Sequence, residues 1–231
     1  MMSFLNLVVS KIKKKEYKLD ETIQLQDMMI IVFIRLMALI RANFRLIGVK
    51  KASRIIFFKK GISLQAKRKI EFGKAVTVGK EVNINALSKK GVKIGDNVSI
   101  GDYSIISCTG ILSKVGVGFS IGKNSSFGEF CYFGSAGGIT IGENVIMGQS
   151  IRFHSENHLF DRTDILIKDQ GVSNKGIKVG DNCWIGAGAV FLDGISIGDG
   201  CVIGANSLLN KDIPPNSVVV GNPAKIIKKR E

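Results

Sequence analysis

The chain has 231 residues, 45% of them hydrophobic, which is ample for a buried core. Its formal net charge of +14 is uneven: residues 1–70 hold 16 Lys/Arg against 4 Asp/Glu, and residues 71–231 hold 17 against 15. The basicity therefore belongs to the N-terminal part, and the near-neutral remainder makes a poor nucleic-acid surface. Cys108, Cys131, Cys183 and Cys201 form no CxxC pair and no Cys/His zinc spacing, so they read as small apolar core residues in a reducing setting. Residues 1–10 lack the basic start of a signal peptide, and no small-residue cleavage site follows an apolar run, so the expectation is a cytoplasmic chain.

Residues 1–70 form the first region. Lys11, Lys13, Lys14, Lys15 and Lys18 make its start a solvated terminus or a stretch drawn to anionic headgroups. Residues 21–47 predict a helix that stops at Gly48. Leu25, Met29, Val32, Phe33, Leu36, Ile40, Phe44 and Ile47 share one face, while Gln24, Asp27, Arg35, Arg41 and Arg45 lie on the opposite arc. The apolar run 28–34 is far short of the roughly 20 residues that span a bilayer. Two readings stay open. The apolar face packs on the body or on a neighbouring subunit, or residues 1–47 make a peripheral contact at the cytoplasmic membrane face.

Residues 71–212 carry a six-residue period that belongs neither to a helix nor to a paired strand. A large apolar residue recurs at Phe72, Val78 and Ile84, then at Ile94, Ile100, Ile106 and Leu112. After a slip it returns at Ile121, Phe127 and Phe133, then at Ile141, Met147 and Phe153. From Val179 it runs unbroken through Ile185, Phe191, Ile197 and Ile203 to Leu209. Gly or another small residue usually follows. Each hexad is thus a short strand and a corner, three flats close a triangular coil of eighteen residues, and coils stack at about 4.8 Å. Cys183 and Cys201 are eighteen residues apart and should lie one above the other. About six coils are expected, with both ends capped. Residues 213–231 break the period at Pro214-Pro215 and read as a cap with a basic tail.

Chemistry is sought where the period fails, in residues 155–176. A loop of that length in a compact repeat is commonly functional. Both histidines of the chain, His154 and His158, stand at its start, with Glu156 and Asp161 beside them. A zinc site here would lack a further ligand, so no metal is assigned. No nucleophile for a covalent route stands out.

The ladder, the histidine-bearing interruption and the run DNCWIGAGAVFLDGISIGDGCVIGANSLLNKDIPPNSVVVGNPAKII resemble the hexapeptide-repeat acyltransferases, over about residues 70–228. Within them the resemblance is to maltose/galactoside-type and polysaccharide-modifying O-acetyltransferases. It implies an all-β fold, a left-handed parallel β-helix with an N-terminal α-helical extension, assembled as a homotrimer with sites between subunits. It implies acetyl-CoA as co-substrate and a saccharide or lipid-linked glycan as acceptor, in surface polysaccharide synthesis. His158, sixteen residues after Gly142, falls at the family's catalytic histidine, and His154 does not. Trp184 matches an aromatic near it, Ala187 and Ala205 match pantetheine contacts, and Lys211 matches a position near the nucleotide phosphates. Glu156, Asp161 or a backbone carbonyl would orient His158. Gly134–Ser135–Ala136–Gly137–Gly138 replaces the acidic stretch of the maltose/galactoside pattern, which points to a larger acceptor. An N-acetyltransferase and a non-catalytic scaffold are the alternatives.

Overall fold

Large apolar side chains at every flat drive a coil whose interior they fill. The structure, a computed structural model, describes residue 20, residues 22–109 and residues 111–231. The lysines at the start of the chain, Lys11 to Lys18, lie outside the described residues. The chain divides into two units, Met1–Met37 and Ala38–Glu231.

The second unit is a left-handed parallel β-helix. Three sheets run along it. The first has seven strands and begins at Lys51–Ala52; the second has nine and begins at Ile56–Phe58; the third has seven and begins at Ser63–Gln65. Each coil contributes one strand to each sheet, and successive coils pair in parallel, as at Phe119↔Ile139↔Ile177 and Phe133↔Phe153↔Phe191. The expected stacking of Cys183 over Cys201 is present, since Trp184 pairs with Val202 and its N–H bonds to the Cys201 carbonyl. All four cysteines are free and buried, and burial pushes the Cys108, Cys131 and Cys183 thiols up to about 11. They are packing groups, not nucleophiles.

The ladder residues named above are buried to 4% exposure or less, with one exception. Leu112 is 79% exposed and is not a core position. Thr109 explains the departure. Its hydroxyl accepts from the Gly116 N–H and donates to the Leu87 carbonyl, and residues 111–114 stand exposed outside the coil wall.

A second correction concerns where the coil starts. Residues 51–65 already form a complete coil, paired to the next through Ala52↔Phe72, Phe58↔Val78 and Leu64↔Ile84. The boundary drawn at residue 71 is therefore some twenty residues late. The stack has seven coils, one more than expected. The first coil escapes the period because a lysine pair, Lys59-Lys60, follows Phe58 where later coils have a glycine.

The helix, α1, runs from Leu25 to Arg45 and ends at Gly48, whose φ of +85° is the left-handed stop a glycine supplies. Its C-terminal half, in the second unit, meets the coil through a side other than the apolar face. Ala38 and Ala42 are the buried residues of its C-terminal half, and Arg41 and Arg45 donate to the carbonyls of Phe58 (2.8 Å) and Ile62 (3.2 Å). The small alanines allow close approach, and the two guanidinium groups satisfy carbonyls at the open end of the first coil. The apolar-face residues within the second unit, Ile40, Phe44 and Ile47, are instead 42–73% exposed. At the other end, Lys225–Lys229 pairs antiparallel with Ser217–Val220 and closes the second sheet.

Corners of the coil need backbone in the left-handed region. Asn97, Asn124, Asn144, Asn182, Asn206 and Asn216 supply it, with φ between 55° and 59°. Asn97, Asn124 and Asn144 also bond to one another in a short ladder, at 3.1 and 3.2 Å. Replacing Asn124 by alanine should lower stability by about 1–2 kcal/mol, combining a left-handed penalty with two lost exposed bonds. Urea unfolding reads this directly, and an unchanged midpoint would contradict it.

Candidate active site

The chain leaves the coil at the end of the third-sheet strand Arg152–His154 and returns to the first sheet at Ile177. Ser155, fully buried, sets the exit: its hydroxyl donates to the Gly134 carbonyl (2.8 Å) and accepts from the Gly137 N–H (3.0 Å). The excursion is an ordered hairpin. Asn157–His158 pairs antiparallel with Val172–Ser173, and the Leu159 N–H bonds to the Gly171 carbonyl (3.0 Å). Near the tip, Gln170 exchanges two bonds with the Arg162 backbone, at 3.1 and 2.7 Å.

Two residues that sequence reasoning missed fix the base of the hairpin. Asp193 accepts from the N–H groups of Lys175 (3.0 Å) and Gly176 (2.7 Å) and from the Ser173 hydroxyl (3.3 Å). Asn174 donates to the Glu156 carboxylate at 3.1 Å. Asp193-Gly194 follows Leu192, where the hexads put a small residue next to the ladder position, and that irregularity is the signal that could have found Asp193. The Asn174 bond occupies one of the candidate orienting carboxylates. The Oδ1 atom of Asn174 is buried with no partner among the described residues.

His158 is exposed on the hairpin. His154 is half-buried, four residues earlier, with its ring 5.6 Å from that of Tyr132. Burial, helped by the Arg152 charge, holds His154 below its ordinary value of 6.5. A histidine that binds its proton less tightly when folded destabilises the fold once that proton is forced on. Stability should therefore fall as pH drops below about 6.5, and His154→Gln should flatten that limb of a thermal-melt pH profile. An identical acid limb in the variant would contradict this.

The remaining candidates stand elsewhere on the coil. Trp184 is 59% exposed on the second sheet, paired with Ile146, which is 60% exposed. Ala187 and Ala205 are successive members of one corner row after that sheet. The Asn206 N–H bonds to the Ala187 carbonyl (2.8 Å), and a Cβ on Gly186 would lie 2.5 Å from the Ala205 nitrogen. Glycine at 186 is thus what lets this row close up. Lys211 follows the third sheet, at the corner from which the histidine hairpin also departs, and is exposed. One chain therefore places Trp184, Ala187 and Ala205 on or after the second sheet, and His158 and Lys211 after strands of the third sheet that belong to different coils. Residues 176–211 match the family model of the bacterial transferase hexapeptide, six repeats.

Residues 176–211 are thus a hexapeptide repeat of this type.

Two curated relatives carry acetyltransferase names. A Schizosaccharomyces pombe protein is 38% identical over 44% of this chain and 48% of its own length. A Dictyostelium discoideum protein is 44% identical over 39% and 46%. The match thus spans about half the length of each. Among solved structures, a variant of AntD, an N-acyltransferase from Bacillus cereus in complex with dTDP-4-amino-4,6-dideoxyglucose and coenzyme A, is 17% identical. It covers 83% of this hexapeptide-repeat chain and 89% of its own, with a TM-score of 0.58, a likeness of fold.

Proposed function

We propose that this hexapeptide-repeat protein is an acetyl-CoA-dependent O-acetyltransferase acting on a saccharide hydroxyl, with His158 as general base. The observation that carries the reading is the ordered hairpin that holds His158 outside an otherwise chemically quiet coil, with His154 at the end of the strand from which it departs. The acetyltransferase names of the two relatives support it.

The chemistry follows from the groups available. A sugar hydroxyl is a weak nucleophile at neutral pH. The His158 imidazole takes its proton as the oxygen attacks the thioester carbonyl. Backbone N–H groups stabilise the tetrahedral oxyanion. The C–S bond then breaks, the new ester keeps the acetyl group, and the proton passes from His158 to the departing thiolate. No acyl-enzyme is needed when both reactants are held together. Ala187 and Ala205 line a corner with little side-chain bulk, suited to the pantetheine arm, beside Trp184. Lys211 serves the nucleotide phosphates.

A homotrimer completes this reading. Leu159, Phe160, Leu166 and Ile167 on the hairpin are 43–69% exposed, an apolar tip left open among the described residues. A neighbouring copy would cover it and bring the hairpin edge of one chain to the Trp184 edge of the next. The Gly134–Gly138 stretch offers no carboxylate to a small sugar, which favours a larger glycan, as in surface polysaccharide synthesis. The AntD likeness gives the N-acyl reading its place as the second one.

Thermal shift with coenzyme A tests the ligand half of the proposal. Binding to the folded state should add about 2.7 kcal/mol of apparent stability at a hundred times Kd. No shift at millimolar coenzyme A would return the protein to the class of scaffolds. Matched amine and hydroxyl acceptors offered with labelled acetyl-CoA separate the two transfer reactions.

A further inference from the structure

We infer that Tyr132 and Arg152, on the outer face of the third sheet, form an acceptor subsite for a saccharide that carries a carboxylate. Strand alternation sets their positions. In Tyr132–Gly134 and Arg152–His154 the middle phenylalanine points into the core, and the residues on either side of it point outward. Tyr132 and Arg152 are partners in register, as are Gly134 and His154. Gly134 decides how the tyrosine lies. A Cβ there would stand 3.0 Å from the Tyr132 Cε1 atom and 3.2 Å from its hydroxyl oxygen, so the ring is laid across the glycine. The His154 ring packs beside it, with centroids 5.6 Å apart. On its other side Tyr132 pairs with Ile105, which is 41% exposed. A half-buried aromatic ring held along a sheet is a platform for the C–H face of a sugar, and its hydroxyl is a polar handle.

Charge selects the class of sugar. The exposed Arg152 guanidinium has no hydrogen-bond or ion-pair partner among the described residues. Among those residues, the strands of this sheet carry no aspartate or glutamate. Burial and the Arg152 charge hold His154 below its ordinary value of 6.5, so it is neutral near pH 7 and Arg152 is the cation of these strands. Two carboxylates at the base of the hairpin are already engaged, Glu156 by the Asn174 amide and Asp193 by the Lys175 and Gly176 N–H groups. A planar guanidinium with free donors matches a carboxylate bidentately. Beside an aromatic platform, that pairing fits a uronic-acid unit better than a neutral hexose. The strand that carries Arg152 runs on into the hairpin that carries His158, so a glycan seated here has its reacting unit toward the hairpin.

The inference rests on the acetyl-transfer reading for calling this ligand the acceptor, and its test measures binding without acetyl-CoA, so the two fail separately. The full chain is titrated calorimetrically with trigalacturonate and with maltotriose, at low and high salt. Trigalacturonate should bind about tenfold more tightly than maltotriose, and salt should narrow the difference. Arg152→Gln should remove the preference and leave maltotriose binding as it is. Tyr132→Ala should weaken both sugars about tenfold, and Tyr132→Phe, which keeps the ring, should weaken them less. Circular dichroism confirms that every variant is folded. Equal affinity for the two sugars, no binding of trigalacturonate, or unchanged binding by folded Arg152→Gln or Tyr132→Ala overturns the inference. Selective, Arg152-dependent binding by a chain that transfers no acetyl group would count against the transfer reading and uphold the site as one for acidic sugars. Light scattering covers the competing occupant. Loss of assembly in Tyr132→Ala, with no sugar binding by the wild type, would give the face to a second copy and overturn the inference too.

Discussion

His158→Ala should lower acetyl transfer by about 10²- to 10⁴-fold, the range a positioned general base contributes. The residue is exposed on a hairpin whose fold is fixed by other groups: the Asp193 carboxylate, the Asn174 amide and the backbone pairs. The imidazole can therefore be removed without loss of the coil, and the melting temperature should move little. Because the loss falls on the transition state, kcat should carry it, and the coenzyme A thermal shift should persist. His154→Ala is the internal control. That ring packs beside Tyr132 instead of standing on the hairpin, and its loss should affect stability more than turnover. A His158→Ala variant with unchanged turnover would remove the base from the account.

Phe153→Ala should cost about 3–5 kcal/mol, the upper range for a buried aromatic. Phe153 is fully buried, stacked on Phe191 with ring centroids 4.2 Å apart and on Phe133 at 5.2 Å. These three rings hold three successive coils together at the level where the hairpin leaves. In a stacked repeat the loss is local at first, so unfolding should become less cooperative as well as easier. Phe153→Leu keeps most of the volume and should cost less than about 1.5 kcal/mol. Urea denaturation followed by circular dichroism separates the two, and a cost below about 1 kcal/mol for the alanine variant would show that the rings are not the spine.

The coil was legible because one residue type at one spacing is all it needs. Phe72 through Leu209 announce themselves by size and period, and the stacked cysteines follow from an eighteen-residue interval. The first coil was hidden because Phe58 fills the core and Leu64 packs partly buried against it, both without the small partner that marks later hexads. Leu112 misled because the period counts residues along the chain, and a hydroxyl at Thr109 had already diverted the backbone. For α1 the periodicity gave the stripe and not its neighbour. Two alanines and two arginines decided which side meets the coil, and that choice depends on carbonyls left open at the coil's end. The same limit applies at the hairpin. His158 stood out as a histidine in an interruption, whereas Asp193 lies 35 residues later in a coil and becomes its support only when the chain folds back.

The central claim is the formation of a saccharide ester from acetyl-CoA. The most direct measurement is mass spectrometry of oligosaccharide acceptors after incubation with the protein and isotopically labelled acetyl-CoA. The account predicts a labelled acetyl group that mild base removes, formed with matching release of thiol and lost in His158→Ala. A base-stable amide on amino-sugar acceptors alone, or ester formation that His158→Ala leaves intact, would contradict it.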